Sequence, residues 1–423
     1  MNQEQLMKIK RAKYEFFDWF VLVAALMLAG LGVLMVFSIT GTSIHNNASG
    51  DRLSYMMHSA TGTIGGIMAM TFVALMPHKL LKHKTMGIGI LAGTILLFVI
   101  THFFGHGTEL SPTVSRWITI PGVITFQAVD LLRLGFTLSL PWTIHHLAEK
   151  KLYHTQNIVG FYLVPLAYIL FATLMVVGQR DLGSAIIMFT TGVIVFFSSG
   201  LHVKQILVLL GIGISTLIVA ATLGVYALNL DFYQTDRIQV WLDPFTHPNG
   251  NQIVMGFVSL ALGGWTGVGI GNSTVALGFA IEPHTDLIIT IVAEELGAVT
   301  VLIIMLLYFL IAYKCFKTAF KARETFSPLV CIAVGVFFLA QPFVNLGGVS
   351  GVIPLSGVAL PLISYGMTNK LSTFVLVGLY FNMRRQILVD AARYETKKSE
   401  PKQQLSENVT DYKNVLQFPP KQA

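Results

Sequence analysis

Ten apolar runs divide this 423-residue chain, each near the roughly 20 residues a helix needs to cross about 30 Å of hydrocarbon. They lie near residues 16–37, 59–76, 86–103, 128–147, 157–178, 182–199, 205–227, 287–313, 327–346 and 367–383. Lipid offers no partner for backbone polar groups, so runs of this length can cross it only as helices whose hydrogen bonds close internally. The expected fold class is an all-α polytopic membrane protein of about ten transmembrane helices. Composition agrees: 12% of residues are charged and 54% hydrophobic, whereas about a quarter are charged in soluble domains.

The placement of charge orients the bundle, because cytoplasmic connections carry the excess of Lys and Arg. Lys8, Lys10, Arg11 and Lys13 precede the first run. Alternate connections then carry Lys79, Lys82 and Lys84, Lys150 and Lys151, Lys204, and Lys314, Lys317, Lys321 and Arg323. Most of the 28 basic residues therefore fall on one side, and both termini are expected in the cytoplasm. On the other side stand only Arg52, Arg116, Arg180 and Arg237, with Arg133 and Lys370 inside spans. The net charge of +7 is thus a record of topology, and no nucleic-acid partner is expected. Residues 1–15 read as a cytoplasmic segment, 16–383 as the membrane domain and 384–423 as a disordered cytoplasmic tail, polar and proline-containing. The first run reads as a retained anchor rather than a cleaved signal. Cys315 and Cys331 flank a cytoplasmic connection, where disulfides are rare.

The longest outer connection, 229–285 between the seventh and eighth spans, is long enough to be functional in its own right. It holds Arg237, Trp241-Leu242-Asp243-Pro244, Gln252 and a glycine series from Gly263 to Gly271. That spacing does not match a nucleotide-binding fingerprint. It suits close backbone packing, including short re-entrant pieces buried in protein. The connection ends in Glu282, His284 and Asp286, where the glycine-rich stretch hands over to an apolar helix. An acid at that junction is expensive to hold beside hydrocarbon and is a functional candidate. Deeper in the same span, Glu294 and Glu295 are expected to bond between helices, since an acid at depth costs about 2.5–3.5 kcal/mol on insertion scales.

Elsewhere bland readings compete with functional ones. Arg116 beside Trp117 suits either an interfacial anchor or an anion site. Asp130 and Arg133, three apart on a helix, are expected to neutralise each other. Asp181 suits an N-cap of the sixth span. Lys370 is expected to snorkel toward water from the outer end of the tenth, after a loop broken by Pro354, Gly357, Pro361 and Gly366.

Mapped on this topology, Arg116, Asp181, Arg237, Glu282, His284, Asp286 and Lys370 all gather at the outer face. A secondary transporter instead holds its polar groups near the midplane of matched repeats, and no internal repeat stands out. A lone carboxylate among cations beside lipid suits transfer from a lipid-diphosphate donor to an alcohol. The alcohol loses a proton as it attacks, which a positioned base assists by about 10²–10⁴-fold. The diphosphate departs as a stable anion that Arg or Lys can hold. No cluster of metal ligands appears at a recognisable spacing, and assistance from Mg2+ or Mn2+ stays open.

Several spaced motifs stand in order across residues 15–385: Ser115-Arg116-Trp117, Gln179-Arg180-Asp181-Leu182-Gly183, Arg237 through Asp243-Pro244, Gln252, GGWTGVGIGNS, His284-Thr285-Asp286, Glu294-Glu295-Leu296-Gly297, and Pro354 through PLISYG. With them the chain resembles the SEDS family (shape, elongation, division and sporulation; the FtsW/RodA/SpoVE proteins). The resemblance implies a peptidoglycan glycosyltransferase that polymerises lipid II into a nascent glycan strand at the outer face of the bacterial cytoplasmic membrane. It further implies a single-span class B penicillin-binding protein as partner, alongside other divisome membrane proteins. Asp286 aligns with the family's essential loop aspartate, the presumed base. Arg116, Arg237 and Lys370 become candidates to hold the diphosphate, and Gln252, Glu282, His284 and Ser364 further substrate-binding candidates.

His284-Thr285-Asp286 and the glycine run are more similar to the division branch than to the elongation branch, so a septal location is expected. The chain departs from the family pattern at Gln127-Ala128-Val129-Asp130 with Arg133, at Ile281 with Pro283, and at Met367-Thr368-Asn369. Two other classes stay open: a lipid II flippase, for which Glu294 should matter more than Asp286, and a non-catalytic divisome scaffold.

Overall fold

The computed structural model describes residues 7, 15, 17–42, 49–107, 117–120, 124–149, 158–199, 211, 233–275 and 285–415. In chain order its elements are α1 (Trp19–Thr42), α2 (Ser49–Leu75), α3 (His78–Lys82), α4 (Lys84–Phe104), β1 (Trp117–Ile120), β2 (Ile124–Gln127), α5 (Ala128–Glu149), α6 (Ile158–Gly178), α7 (Leu182–Phe197), α8 (Tyr233–Leu242), α9 (Asn251–Gly263), α10 (Ile288–Ala319), α11 (Phe326–Val349) and α12 (Met367–Val415). Nine of the ten expected spans overlap helices, and the remaining one, the seventh at 205–227, lies outside the described residues except for residue 211. Five of the described helices are long and apolar enough by themselves to cross a membrane, with shorter apolar helices between them. The protein is a polytopic helical membrane protein.

Three features depart from the expectation. The outer loop before α5 contains a hairpin, with Trp117 paired to Gln127 and Ile120 to Ile124. The connection 229–285 contains two helices, α8 and α9. The segment 384–423, expected as a disordered tail, is helical as far as Val415. Its Ala, Gln, Glu, Lys and Arg residues are strong helix formers, and they continue the apolar α12 without a break.

Small residues let the helices approach. Between α2 and α12, Gly66 faces the Phe374 ring and Gly378 faces the Met70 backbone, where a Cβ would stand 2.4 and 2.5 Å from its neighbour. This is the close packing that membrane interfaces use. At the end of the bundle expected to face the cytoplasm, Asp18 pairs with Lys314 and Arg384, each at 3.4 Å, tying the first segment to α10 and α12. Lys82 pairs with Glu324 at 3.3 Å and Glu149 at 3.7 Å. Burial pushes the Glu324 carboxyl up, but the His78 and Ser327 contacts and the Lys82 charge overcome it and hold the group at about 2.

The expected eighth span is not continuous. At Gly297 the backbone of α10 takes φ 81°, ψ 168°, and the helix breaks. The glycine-rich stretch after α9 fills the break: Ala298 N donates to Gly264 O (2.9 Å), Val268 N to Glu294 O (2.9 Å) and Gly269 N to Glu295 O (3.0 Å). Freed backbone groups are thereby satisfied inside the protein, as a membrane span requires.

The two acids hold the same joint. Buried Glu294 accepts from Ser259 Oγ (2.9 Å), Ser273 Oγ (2.7 Å) and both N and Oγ1 of Thr274 (2.7 and 2.8 Å). Ser38 Oγ lies 2.8 and 2.7 Å from the two Glu295 oxygens. Their expected role as inter-element bonds is what the geometry shows. A Cβ at Gly297 would meet Trp265 O at 2.3 Å in a conformation that L residues avoid. Gly297→Ala is therefore expected to cost about 1–3 kcal/mol, read as a lowered thermal unfolding midpoint in detergent. An unchanged midpoint would mean the joint is not locked.

Candidate active site

The site is built around the last interhelical connection, residues 350–366, which lies between α11 and α12. Its prolines and glycines keep it out of helix, so its carbonyls need partners from elsewhere. Side chains from several elements supply them. Arg237 Nη1 on α8 donates to Leu355 O (2.8 Å), and Trp241 Nε1 donates to Gly351 O (2.8 Å). Tyr308 on α10 donates to Pro361 O at 2.5 Å. On α11, Gln341 Nε2 donates to Ala359 O and Asn345 Nδ2 to Val358 O, the latter at 2.6 Å. Leu362 in this connection has φ 65°, and Arg180, in the turn before α7, has φ 59°. Two non-glycine residues in the left-handed region are strain of the kind that collects at functional sites. The second turn packs nearby: a Cβ at Gly183 would meet Val358 Cγ2 at 2.2 Å.

Asp286 stands half-buried in the turn immediately before α10. Its carbonyl accepts from Asn345 Nδ2 at 2.8 Å, and the carbonyl of Thr285 accepts from Ser364 Oγ at 2.7 Å. The same Ser364 hydroxyl accepts from Leu360 N at 2.7 Å. Asp286, Ser364 and Arg237 are thus anchored on one connection. Tyr365 follows, its ring 5.3 Å from that of Tyr55. Burial, and then Tyr55, push the Tyr365 phenol up, so it stays protonated and polar.

Lys370 does not snorkel to water. It is buried in the first turns of α12 with Nζ donating to Ser59 Oγ at 2.5 Å. The reason is the tight α2–α12 contact, where Met367 lies against Gly62 and Phe374 against Gly66 and the lysine between them has no route to the surface. Gln252 is half-buried at the start of α9, a helix packed on α10 and α11. Arg116, Glu282 and His284 lie outside the described residues.

Two of the bland expectations hold. Asp181 caps α7, accepting from Ser184 N at 3.0 Å. Arg133 lies 3.6 Å from Asp130 and also donates to Gln341 Oε1 and Ser184 Oγ, each at 3.0 Å. Asn345 and Ser59 were not singled out from the sequence. A carboxamide in the apolar run of α11, three residues after Pro342, was the available signal. Among the described residues no three His, Cys, Asp or Glu side chains are placed to hold a metal ion.

A model of the FtsW/RodA/SpoVE family, described as cell cycle protein, matches residues 18–387. The chain belongs to this family. It is 30% identical over 378 residues to the probable peptidoglycan glycosyltransferase FtsW of Bacillus subtilis (strain 168), covering 87% of this chain and 90% of that one. It is 31% identical over 307 residues to the protein of the same name from Buchnera aphidicola subsp. Schizaphis graminum, covering 70% and 82%. Among solved structures, a chain of a peptidoglycan synthase complex that coordinates polymerization and crosslinking superposes with TM-score 0.68 at 23% identity, covering 88% of this chain and 98% of that one. The rod shape determining protein RodA of Thermus thermophilus superposes with TM-score 0.60 at 19% identity, covering 88% and 97%. These two structures share the fold, so the FtsW/RodA/SpoVE architecture extends over nearly the whole membrane domain.

Proposed function

We propose that the chain is a peptidoglycan glycosyltransferase that polymerises lipid II at the outer face of the bacterial cytoplasmic membrane, in septal wall synthesis. Its FtsW relatives are named probable peptidoglycan glycosyltransferases, which supports the reaction class. The observation that carries the reading is the anchoring of Asp286 and Arg237, an acid and a cation from different elements, on one irregular outer connection.

The reaction is an inverting transfer. The acceptor sugar hydroxyl attacks the donor's anomeric carbon, and its proton passes to the Asp286 carboxylate. The bond from that carbon to the diphosphate breaks, and undecaprenyl diphosphate leaves with the electron pair. A guanidinium presents a donor fork matched to phosphate oxygens, which is the role given to Arg237 and Arg116. Lys370, buried beside Ser59, is given an electrostatic role rather than a surface contact with substrate. Gln252, Glu282 and His284 belong to the substrate-facing connection.

A class B penicillin-binding protein is the proposed partner, crosslinking the strand as it emerges, with other divisome proteins around it. Under the flippase reading Glu294 should matter more than Asp286; its bonds to Ser259, Ser273 and Thr274 favour a structural role for that carboxylate. The test is to incubate labelled lipid II with the purified protein, with and without its transpeptidase, and resolve the products on a gel. Glycan ladders are expected. Outward transport of lipid II in vesicles with no polymer would replace the enzyme by a flippase, and neither product would leave a scaffold.

A further inference from the structure

The turn that carries Asp286 is gripped at two main-chain carbonyls by the side chains of Asn345 and Ser364. We infer that Asn345 and Ser364 are positioning residues that fix the base for proton transfer, an inference that rests on the glycosyltransferase reading above.

The two consecutive carbonyls of Thr285 and Asp286 are each gripped by a side chain distant in sequence, Ser364 at 2.7 Å and Asn345 at 2.8 Å. Each grip also reaches the last outer connection, through Leu360 N for Ser364 and Val358 O for Asn345. The turn before α10 and the connection 350–366 are therefore joined at two points, and a movement of one carries the other. Ser364, expected to touch substrate, has its hydroxyl committed to donating and accepting within the protein.

The Asn345 amide shows a cost that packing alone does not require. Aiming both N–H groups at carbonyls leaves Oδ1 buried with no hydrogen-bond partner among the described residues, a penalty of the order of 1–3 kcal/mol for an unsatisfied group. Buried orphans are rare, and each calls for a reason. Here the reason is geometric, since a base must be within about 3 Å of the proton it removes and a displacement of about 1 Å can cost about 10²-fold in rate.

The experiment measures lipid II polymerisation by purified Asn345→Ala, Ser364→Ala and Ser364→Thr, each checked by size-exclusion profile and thermal midpoint. Both alanine variants are expected to lose about 10- to 100-fold in kcat with KM for lipid II within about twofold. Ser364→Thr, which keeps the hydroxyl, recovers most of the rate. Residues that act as a unit are not additive, so adding Asn345→Ala to Asp286→Asn should cost nothing beyond Asp286→Asn alone. A folded alanine variant with unchanged kcat, or a full further loss in the double variant, overturns the inference. Should Asn345→Ala fail to fold, the Ser364 pair decides alone. No polymer from the wild-type protein overturns the reading of function itself, and this inference with it.

Discussion

Asp286→Asn is expected to lower the rate of lipid II polymerisation by about 10²–10⁴-fold, the range attributed to a positioned general base, while leaving the protein folded. The second half of that expectation comes from the hydrogen bonds. Asn345 and Ser364 tie this turn through the main-chain carbonyls of Asp286 and Thr285, and Asp286→Asn keeps both bonds and the size of the side chain. An amide of the same shape keeps the turn but cannot take a proton. Asp286→Ala should behave alike, whereas Asp286→Glu, with the carboxylate moved by one methylene, should retain part of the rate. Gel analysis of glycan products beside a thermal midpoint in detergent reads both halves at once. Normal strand lengths from Asp286→Asn would remove this residue from the chemistry. A collapsed midpoint would mean that the side chain, and not the backbone, carries the structural tie.

How much of this was legible in the chain follows from which interactions act locally. Apolar run length and the side on which Lys and Arg fall are one-dimensional properties, so the described spans were readable. Local pairings were readable for the same reason: Asp181 three residues before Ser184, and Asp130 three before Arg133, leave little choice of partner. The break in α10 was not. Gly297 looks like any glycine in an apolar helix, and its conformation is imposed by backbone groups from Gly264 to Gly269, supplied by the connection before the span. Lys370 failed in the opposite way. Snorkelling assumes a lipid-facing helix end, and the α2 contact that buries this lysine joins residues 311 positions apart. Asn345 was hidden because its partners, Asp286 O and Val358 O, are main-chain atoms, and no residue type at those positions announces them.

Removing the guanidinium of Arg133 is expected to have the largest effect on stability of any single truncation here. Arg133 and Asp130 are buried, and Arg133 joins α5 to Ser184 at the start of α7 and to Gln341 on α11. Arg133→Ala strips Asp130 of its counter-charge in a place water does not reach, and breaking a buried pair from one side costs about 3–5 kcal/mol. Replacing both partners by apolar residues of similar size is often neutral or better, so Arg133→Met with Asp130→Leu should recover most of the lost stability. Activity should not recover with it. Gln341 bonds Arg133 with its oxygen and the Ala359 carbonyl with its nitrogen, so the arginine fixes which way that amide faces the connection 350–366, to which the Asp286 turn is tied through Asn345 and Ser364. Unfolding midpoints for the single and paired variants, measured beside polymerisation rates, separate the two effects. A single variant as stable as the wild type would mean that water reaches the pair, and a paired variant with full activity would mean that the Gln341 relay is incidental.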